Sequence, residues 1–318
     1  ASFQPWVSKT GRTPVCVLMS GGVDSSVTAL LLRDAGCDVF GLTMGIPAPS
    51  SQIRSRACCG ADAALVCRDL GIPHYFADLK GAFHRLVIDP FRTAYASGST
   101  PSPCVECNTA RKFGVVWRHV KERLGVSALA TGHYPRVLRE PDQTTALARA
   151  ADRRKDQSYF LYGIGKECLA DLQLPLGVFR KDEVRSLARS HGLRVAESSE
   201  SMELCFAAEG DYRHVLEPAE DRPGEIVDTA GRMVGSHPGI RHFTVGQRRG
   251  LGLGGGESRF VLRIHAAENR LVVGPRGAVV QRVRVLVDWP GCGATAPPSG
   301  RWRGAGATFG RRPAPRRW

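Results

Sequence analysis

Three short stretches of this 318-residue chain carry residue types able to do chemistry. The first is Ser20-Gly21-Gly22-Val23-Asp24-Ser25-Ser26. Paired glycines let successive backbone N–H groups turn toward one point, and a helix starting there adds partial positive charge, so the stretch suits phosphate. No Lys-Ser/Thr follows the glycines, which separates it from the Walker A loop of kinases and GTPases. Hydroxyls and N–H groups that hold a departing pyrophosphate, with Asp24 placed to take Mg²⁺, fit an enzyme that releases pyrophosphate. The second stretch is Cys104-Val-Glu-Cys107 and the third surrounds Cys205. Sulfur transfer needs one thiol to carry a persulfide and a second to release the sulfur by forming a disulfide. A CxxC also fits zinc, but no second CxxC accompanies it. Each thiol taken alone is equally at home as a small core residue.

The elements that must position these groups follow from periodicity. Val15 to Met19 has strand composition and Val27 to Arg33 reads as the helix after the glycine turn. Strands are expected at Asp38–Met44, His74–Asp78 and Ala128–Ala130, with an edge strand at Ala146–Ala150. Helices are expected over Ala61–Leu70, Phe83–Ala96 with a break at Pro90, Ala110–Leu124 capped by Asn108, and residues 166–172 and 180–191. Ile46–Arg56 and Ser97–Cys107 read as loops from their Gly, Ser and Pro content. Such β-α alternation predicts a doubly wound parallel sheet with ligands at the carboxyl ends of its strands. After Gly210 short strands replace helices, at Gly224–Asp228, His242–Gly246, Arg259–Ile264 and Arg270–Gly274. Val279–Val287 alternates like the start of a further β unit, and beyond Pro290 the chain reads as disordered. The expected organisation is an unstructured lead (1–14), an α/β domain built around the glycine turn (15–208), a small β-rich domain (209–277) and the start of a third, all-β unit with a disordered basic tail (278–318).

The net charge of +14 favours a polyanionic partner, although six arginines fall in residues 301–318, which hold no acid. No apolar run approaches the length of a membrane span and no signal pattern opens the chain, so the reading is cytoplasmic. Ten cysteines in such a chain do not read as a disulfide framework. Cys16, Cys37, Cys67 and Cys168 sit in apolar or helical stretches and are expected to be packing residues.

Ser-Gly-Gly-x-Asp-Ser resembles the pyrophosphate loop of the PP-loop ATPases, which adenylate an oxygen and expel pyrophosphate. A larger ordered set makes the resemblance specific. It comprises TPSPCVECN with Lys112-Phe113, ATGHY (130–134), KDQSYFLY (155–162), Pro175-Leu-Gly177, SMELCF (201–206) with Gly210-Asp-Tyr212, and FTVGQRRGLG (243–252). Together these are similar to the tRNA-specific 2-thiouridylases, from about Val15 to Val287. The resemblance implies an adenine nucleotide alpha hydrolase-like PP-loop fold in the catalytic domain (15–208), and it implies that the third unit (278–318) is a truncated β-barrel. It implies that Leu18, Met19, Ser20, Gly21, Gly22, Val23, Asp24 and Ser25 form the ATP loop, with Met44 over the adenine and Gly132 beside the nucleotide. Cys107 then matches the nucleophile and Cys205 the persulfide carrier, a pair able to form a disulfide. Ser102, Pro103, Cys104, His133, Lys155, Asp156 and Gln157 match tRNA contacts.

The implied reaction adenylates the 2-oxygen of the wobble uridine of the tRNAs for Lys, Glu and Gln, and the base must leave its stack to be reached. Sulfur then comes from a Cys205 persulfide, charged by a cysteine desulfurase or relay protein, with release of AMP and pyrophosphate. ATP and Mg²⁺ are the expected cofactors, and a monomer is expected. Three rivals stay open at this point. Cys104, Cys107 and Cys205 could hold a 4Fe-4S cluster, as in related tRNA thiolases. The chain could be another PP-loop ligase acting on a small molecule, or an inactive tRNA-binding remnant with a truncated barrel.

Overall fold

In the computed structural model, which describes residues 14–46, 60–139, 145–200, 204–207, 212–216, 221–254 and 258–279, strand β1 (Pro14–Leu18) lies at the centre of a parallel sheet. Its side chains alternate between two cores. Val15 and Val17 join one buried cluster, and Cys16 and Leu18 join the other. A strand that is apolar on both faces must be covered on both, which is the doubly wound arrangement the sequence predicts.

Helix α1 (Val23–Asp34) follows, then β2 (Asp38–Gly45), α2 (Ala61–Leu70) and β3 (His74–Asp78). The next helical run comprises α3 (Lys80–Phe83), a π-helical stretch (His84–Ile88) and α4 (Asp89–Ala96). Pro90 does not stop the helix. It occupies the first turn of α4, where its missing N–H costs nothing, and the irregularity falls in the wide turn before it.

A larger correction concerns Ser97–Cys107. The chain turns helical at α5 (Pro103–Glu106) and continues through a π-helical stretch (Cys107–Val116) into α6 (Trp117–Leu124). Cys104 and Cys107 therefore sit in a helix, not in an exposed loop. Pro103 is a helix starter by virtue of its fixed φ, so the Pro-rich composition marks the beginning of the helix. Asn108 is not a cap. It is buried inside the helix and its Nδ2 donates to the Phe160 carbonyl at 3.4 Å.

Strand β4 (Ala128–Ala130) is followed by a separate antiparallel ribbon of β5 (Arg136–Arg139) and β6 (Thr145–Ala148). The expected edge strand thus pairs outside the main sheet. After α7 (Lys166–Asp171), the short β7 (Leu172–Gln173) forms that edge, and α8 (Lys181–Ser190) completes the layer. The strand order is β3-β2-β1-β4-β7, all parallel. The order reverses between β1 and β4, and the crevice at their carboxyl ends is where such sheets hold ligands.

A second compact unit contains residues 87–103 together with the described residues from 212 onward. Its sheet comprises β8 (Gly224–Val227), β9 (Met233–His237), β10 (Phe260–His265) and β11 (Arg270–Gly274), ordered β10-β11-β8-β9. Ile226, Phe243, Leu251, Val261, Leu271 and Val273 form its core. Helix α4 packs into this unit although it lies inside residues 15–208. Phe91 and Tyr95 surround Tyr212, with the two tyrosine rings stacked at 5.0 Å. Contrary to the strand expected at His242–Gly246, that stretch is a 3₁₀ turn (Ile240–His242) followed by a bend at Gly246, whose φ is 91°. Buried Phe243 anchors it. The expected strand at Val279–Val287 and the tail beyond Pro290 lie outside the described residues, apart from Val279, which ends a 3₁₀ turn (Arg276–Val279).

Candidate functional site

Leu18 and Met19, at the end of β1, are buried, and the chain then turns sharply through Ser20, Gly21 and Gly22 into α1. Gly21 adopts a left-handed φ of 78°, and a Cβ on it would sit 2.9 Å from Asp62 Cβ. The turn is fastened from inside. Ser25 Oγ donates to the Gly22 carbonyl at 3.1 Å and accepts from the Ser20 N–H at 3.2 Å, while Ser26 Oγ donates to the same carbonyl at 2.9 Å. No side chain caps α1, so the first N–H groups of this helix lack a side-chain acceptor and suit an anion. Gly132 follows β4 and approaches the same turn so closely that a Cβ would meet Asp24 C and Ser25 N at 2.8 Å. Met44, near the carboxyl end of β2, shares this edge of the sheet.

Asp24 is engaged. Lys181 Nζ donates to both its oxygens, at 2.7 and 2.8 Å, and the Tyr134 hydroxyl donates to Oδ1 at 2.8 Å. Lys181 also pairs with Glu200 at 3.1 Å, and Lys155 pairs with the same glutamate. Burial would raise the Glu200 pKa, but hydrogen bonds from Lys155 and Lys181 outweigh it and hold the carboxyl below its ordinary value. The Tyr134 N–H donates to Gln157 Oε1 at 3.2 Å. Lys155 and Gln157 are therefore linked to Asp24 through Glu200, Lys181 and Tyr134. Asp156 instead organises its own turn, accepting from Arg149, Ala150 and Ser158. His133, hydrogen-bonded to Thr131 Oγ1 at 2.8 Å, has its pKa pushed well down by burial and then by Lys112, so it is neutral near pH 7. Any RNA contact it makes is a hydrogen bond, not an ion pair.

Sequence reasoning missed Lys181, Glu200 and Tyr134 as partners of Asp24. Only the run ATGHY pointed near one of them.

Every described cysteine is a free thiol. Cys16, Cys67 and Cys168 are buried packing residues, as expected, and Cys37 is half-buried. Cys104, Cys107 and Cys205 lie within reach of one another's charge, together with Arg111 and Lys112. Cys205 is an exposed residue, yet the surrounding protein pushes its thiol up to about 12, with Cys107 and Cys104 adding to the rise. Cys107 is buried and accepts from Arg111 Nη1 at 3.7 Å. Ser102 and Pro103 lead into the helical run that carries Cys104 and Cys107.

The ATP loop fits its ligand, since the uncapped start of α1 and the side-chain-free glycines before it leave a cradle. Magnesium on Asp24 does not fit, because Lys181 and Tyr134 already occupy the carboxylate. Among the described residues no group of three His, Cys, Asp or Glu side chains is arranged to hold a metal ion, and the three cysteines do not fit a cluster.

A glycine turn at the switch point of a parallel sheet, backed by an uncapped helix, defines a nucleotide-binding α/β protein of the PP-loop kind. A family model described as the tRNA methyl transferase HUP domain matches residues 13–209, and one described as the tRNA methyl transferase PRC-barrel domain matches 213–275. The tRNA-specific 2-thiouridylase MnmA of Rhodopseudomonas palustris is 48% identical over 292 residues, covering 89% of this chain and 73% of that protein. The enzyme of the same name from Methylorubrum extorquens is 48% identical over 293 residues, covering 89% and 76%. The chain belongs to the tRNA-specific 2-thiouridylase family, tRNA-uridine 2-sulfurtransferases built on a PP-loop domain and a following β domain. Among solved structures, a U34-tRNA thiolase from Methanococcus maripaludis with a 4Fe-4S cluster is 19% identical with a TM-score of 0.38, covering 61% of this chain and 60% of that one. That likeness is too slight to carry the cluster alternative, and the close relatives are named as thiouridylases.

Proposed function

We propose that this chain replaces the 2-oxygen of the wobble uridine, U34, with sulfur in the tRNAs for Lys, Glu and Gln. The observation that carries the reading is that Cys107 and Cys205, far apart in sequence, lie near enough to feel each other's charge, in the same unit as the glycine turn. A small-molecule ligase has no use for that pair, and a methyl transferase has no use for a pyrophosphate loop.

The uridine 2-oxygen attacks the α-phosphate of ATP, and pyrophosphate leaves into the N–H groups of Gly21, Gly22 and the start of α1. Lys181 holds Asp24 against this turn, and Tyr134 fixes the other side of the carboxylate. Gly132 lets the β4 end lie flush against the nucleotide edge, with Met44 beside the adenine. Magnesium arrives as the counter-ion of ATP and neutralises phosphate charge. Adenylation makes a poor leaving oxygen a good one. The terminal sulfur of a Cys205 persulfide then bonds to C2, and AMP departs with the C–O bond electrons. Cys107 attacks Cys205 Sγ, the bond from that sulfur to the transferred sulfur breaks, and 2-thiouridine is released. The Cys107–Cys205 disulfide left behind needs a thiol reductant for the next turnover. Lys155, Gln157, Ser102, Pro103, Cys104 and His133 face the tRNA in this reading, and Asp156 shapes the turn that presents two of them. The persulfide comes from a cysteine desulfurase or relay protein, and the enzyme works as a cytoplasmic monomer.

The test mixes the chain with unmodified glutamate tRNA, ATP, Mg²⁺ and a persulfide source, and reads 2-thiouridine by nucleoside mass spectrometry. Product that requires both ATP and Cys205, judged against Cys205→Ser, supports the reading. AMP release without thiolated product would refute the sulfur-delivery roles, and absence of tRNA binding would leave only a remnant.

A further inference from the structure

Arg111 is only 2% exposed, and a guanidinium cannot shed its charge by losing a proton. A buried charge persists only where neighbours compensate it. Among the described residues no carboxylate pairs with Arg111. Its contacts are the Cys107 sulfur at 3.7 Å, the Gly45 carbonyl at 3.4 Å and the face of Phe83, 4.7 Å from the guanidinium carbon. Its Nε has no hydrogen-bond partner among the described residues. Phe83 in turn meets Phe206 edge-on at 5.9 Å, and Phe206 is the residue after Cys205. The cation, carried on the Cys107 helix, thus rests on Phe83, which in turn touches the residue after Cys205.

We propose that Arg111 is the charge partner of the Cys107 thiolate, holding its sulfur as an anion and aiming it at Cys205. The proposal rests on the reading of Cys107 as the nucleophile. A thiolate one helical turn away is the counter-charge this guanidinium lacks, and a cation at hydrogen-bond distance favours the reactive form of a cysteine. The attack forms the Cys107–Cys205 bond and sends the electrons of the cleaved S–S bond out on the 2-thiouracil sulfur. A thiol reductant then restores both cysteines. Other titratable or charged groups in the neighbourhood are Lys112, Cys104 and Cys205. Lys112 adds positive charge to the same cluster and opposes the rise that burial imposes on the Cys104 and Cys205 thiols.

Alkylation of Cys107 in the intact 318-residue chain, followed by peptide mass spectrometry across pH, tests this directly. Arg111→Met should slow alkylation at pH 7 about tenfold and move the midpoint of its pH profile up by about one unit, while Arg111→Lys should keep most of the reactivity. A profile for Arg111→Met that superimposes on the wild type overturns the proposal. A second measurement needs no variant. Wild-type Cys107 should prefer anionic iodoacetate over neutral iodoacetamide, relative to free cysteine, by several-fold, and a ratio at or below that of free cysteine refutes the pairing. Cys107→Ser separates the two claims. If it still turns over 2-thiouridine, the nucleophile assignment falls and the role of Arg111 with it. If it is inactive while alkylation is indifferent to Arg111, only the role of Arg111 falls.

Discussion

Gly132 has no room for a side chain, because the atoms a Cβ would meet, Asp24 C and Ser25 N at 2.8 Å, are backbone and cannot rotate away. Gly132→Ala should therefore push the end of β4 off the glycine turn, costing about 1–3 kcal/mol in stability and at least tenfold in ATP-dependent AMP release. Urea unfolding and an AMP assay check the two halves separately. Lys181 is mostly buried between Asp24 and Glu200. Lys181→Met leaves both carboxylates short of a partner, and a loss of about 2–3 kcal/mol is expected, below the fully buried limit because the acids are part-exposed. Glu200 sets a pH dependence. Its folded-state pKa lies below the ordinary 4.5, so the folded chain binds fewer protons there than the unfolded one. The stabilisation is complete above about 4.5 and fades as pH falls through the folded value. Glu200→Gln should flatten the acid limb of a melting-temperature curve below about pH 4.5, and an unchanged limb would contradict this.

At the level of elements, the helical run from Pro103 to Leu124 decides how the cysteines are presented. Its start reads as a loop from Gly, Ser and Pro content and its middle is π-helical, so composition put Cys107 in the wrong kind of structure. The helix α4 gives the same lesson. Its apolar face, Phe91 and Tyr95, is legible, but nothing local says that Tyr212 will cover it. In the β unit, Gly224 opens β8 against Asn269, whose carbonyl oxygen lies 2.0 Å from where a Cβ would be. Gly224→Ala should destabilise that unit by about 2–3 kcal/mol. Hydrogen exchange should quicken at Ile226 and Leu271 before it does at Val15 and Val17; equal changes in both sheets would count against the assignment.

For the molecule as a whole, net charge of +14 makes tRNA binding salt-dependent in the proposed reading. Affinity should fall by about tenfold or more between roughly 50 and 200 mM salt. Removing residues 300–318 should leave tRNA affinity nearly unchanged; a large loss would assign the tail's arginines to phosphate contacts. Both are measurable by filter binding. Among the described residues no helix is long and apolar enough to cross a membrane.

The sequence by itself determined the parallel α/β sheet, the glycine turn and the order of motifs that mark the family. These are local patterns, written in period-two strands, apolar helical faces and glycine spacing. Tertiary structure alone decided that Asp24 belongs to Lys181 and Tyr134, that α4 serves the second unit, and that Arg111 is buried beside Cys107. Each depends on burial or on partners distant in sequence, or both, and burial is what turns an ordinary lysine or arginine into a group that must find a counter-charge.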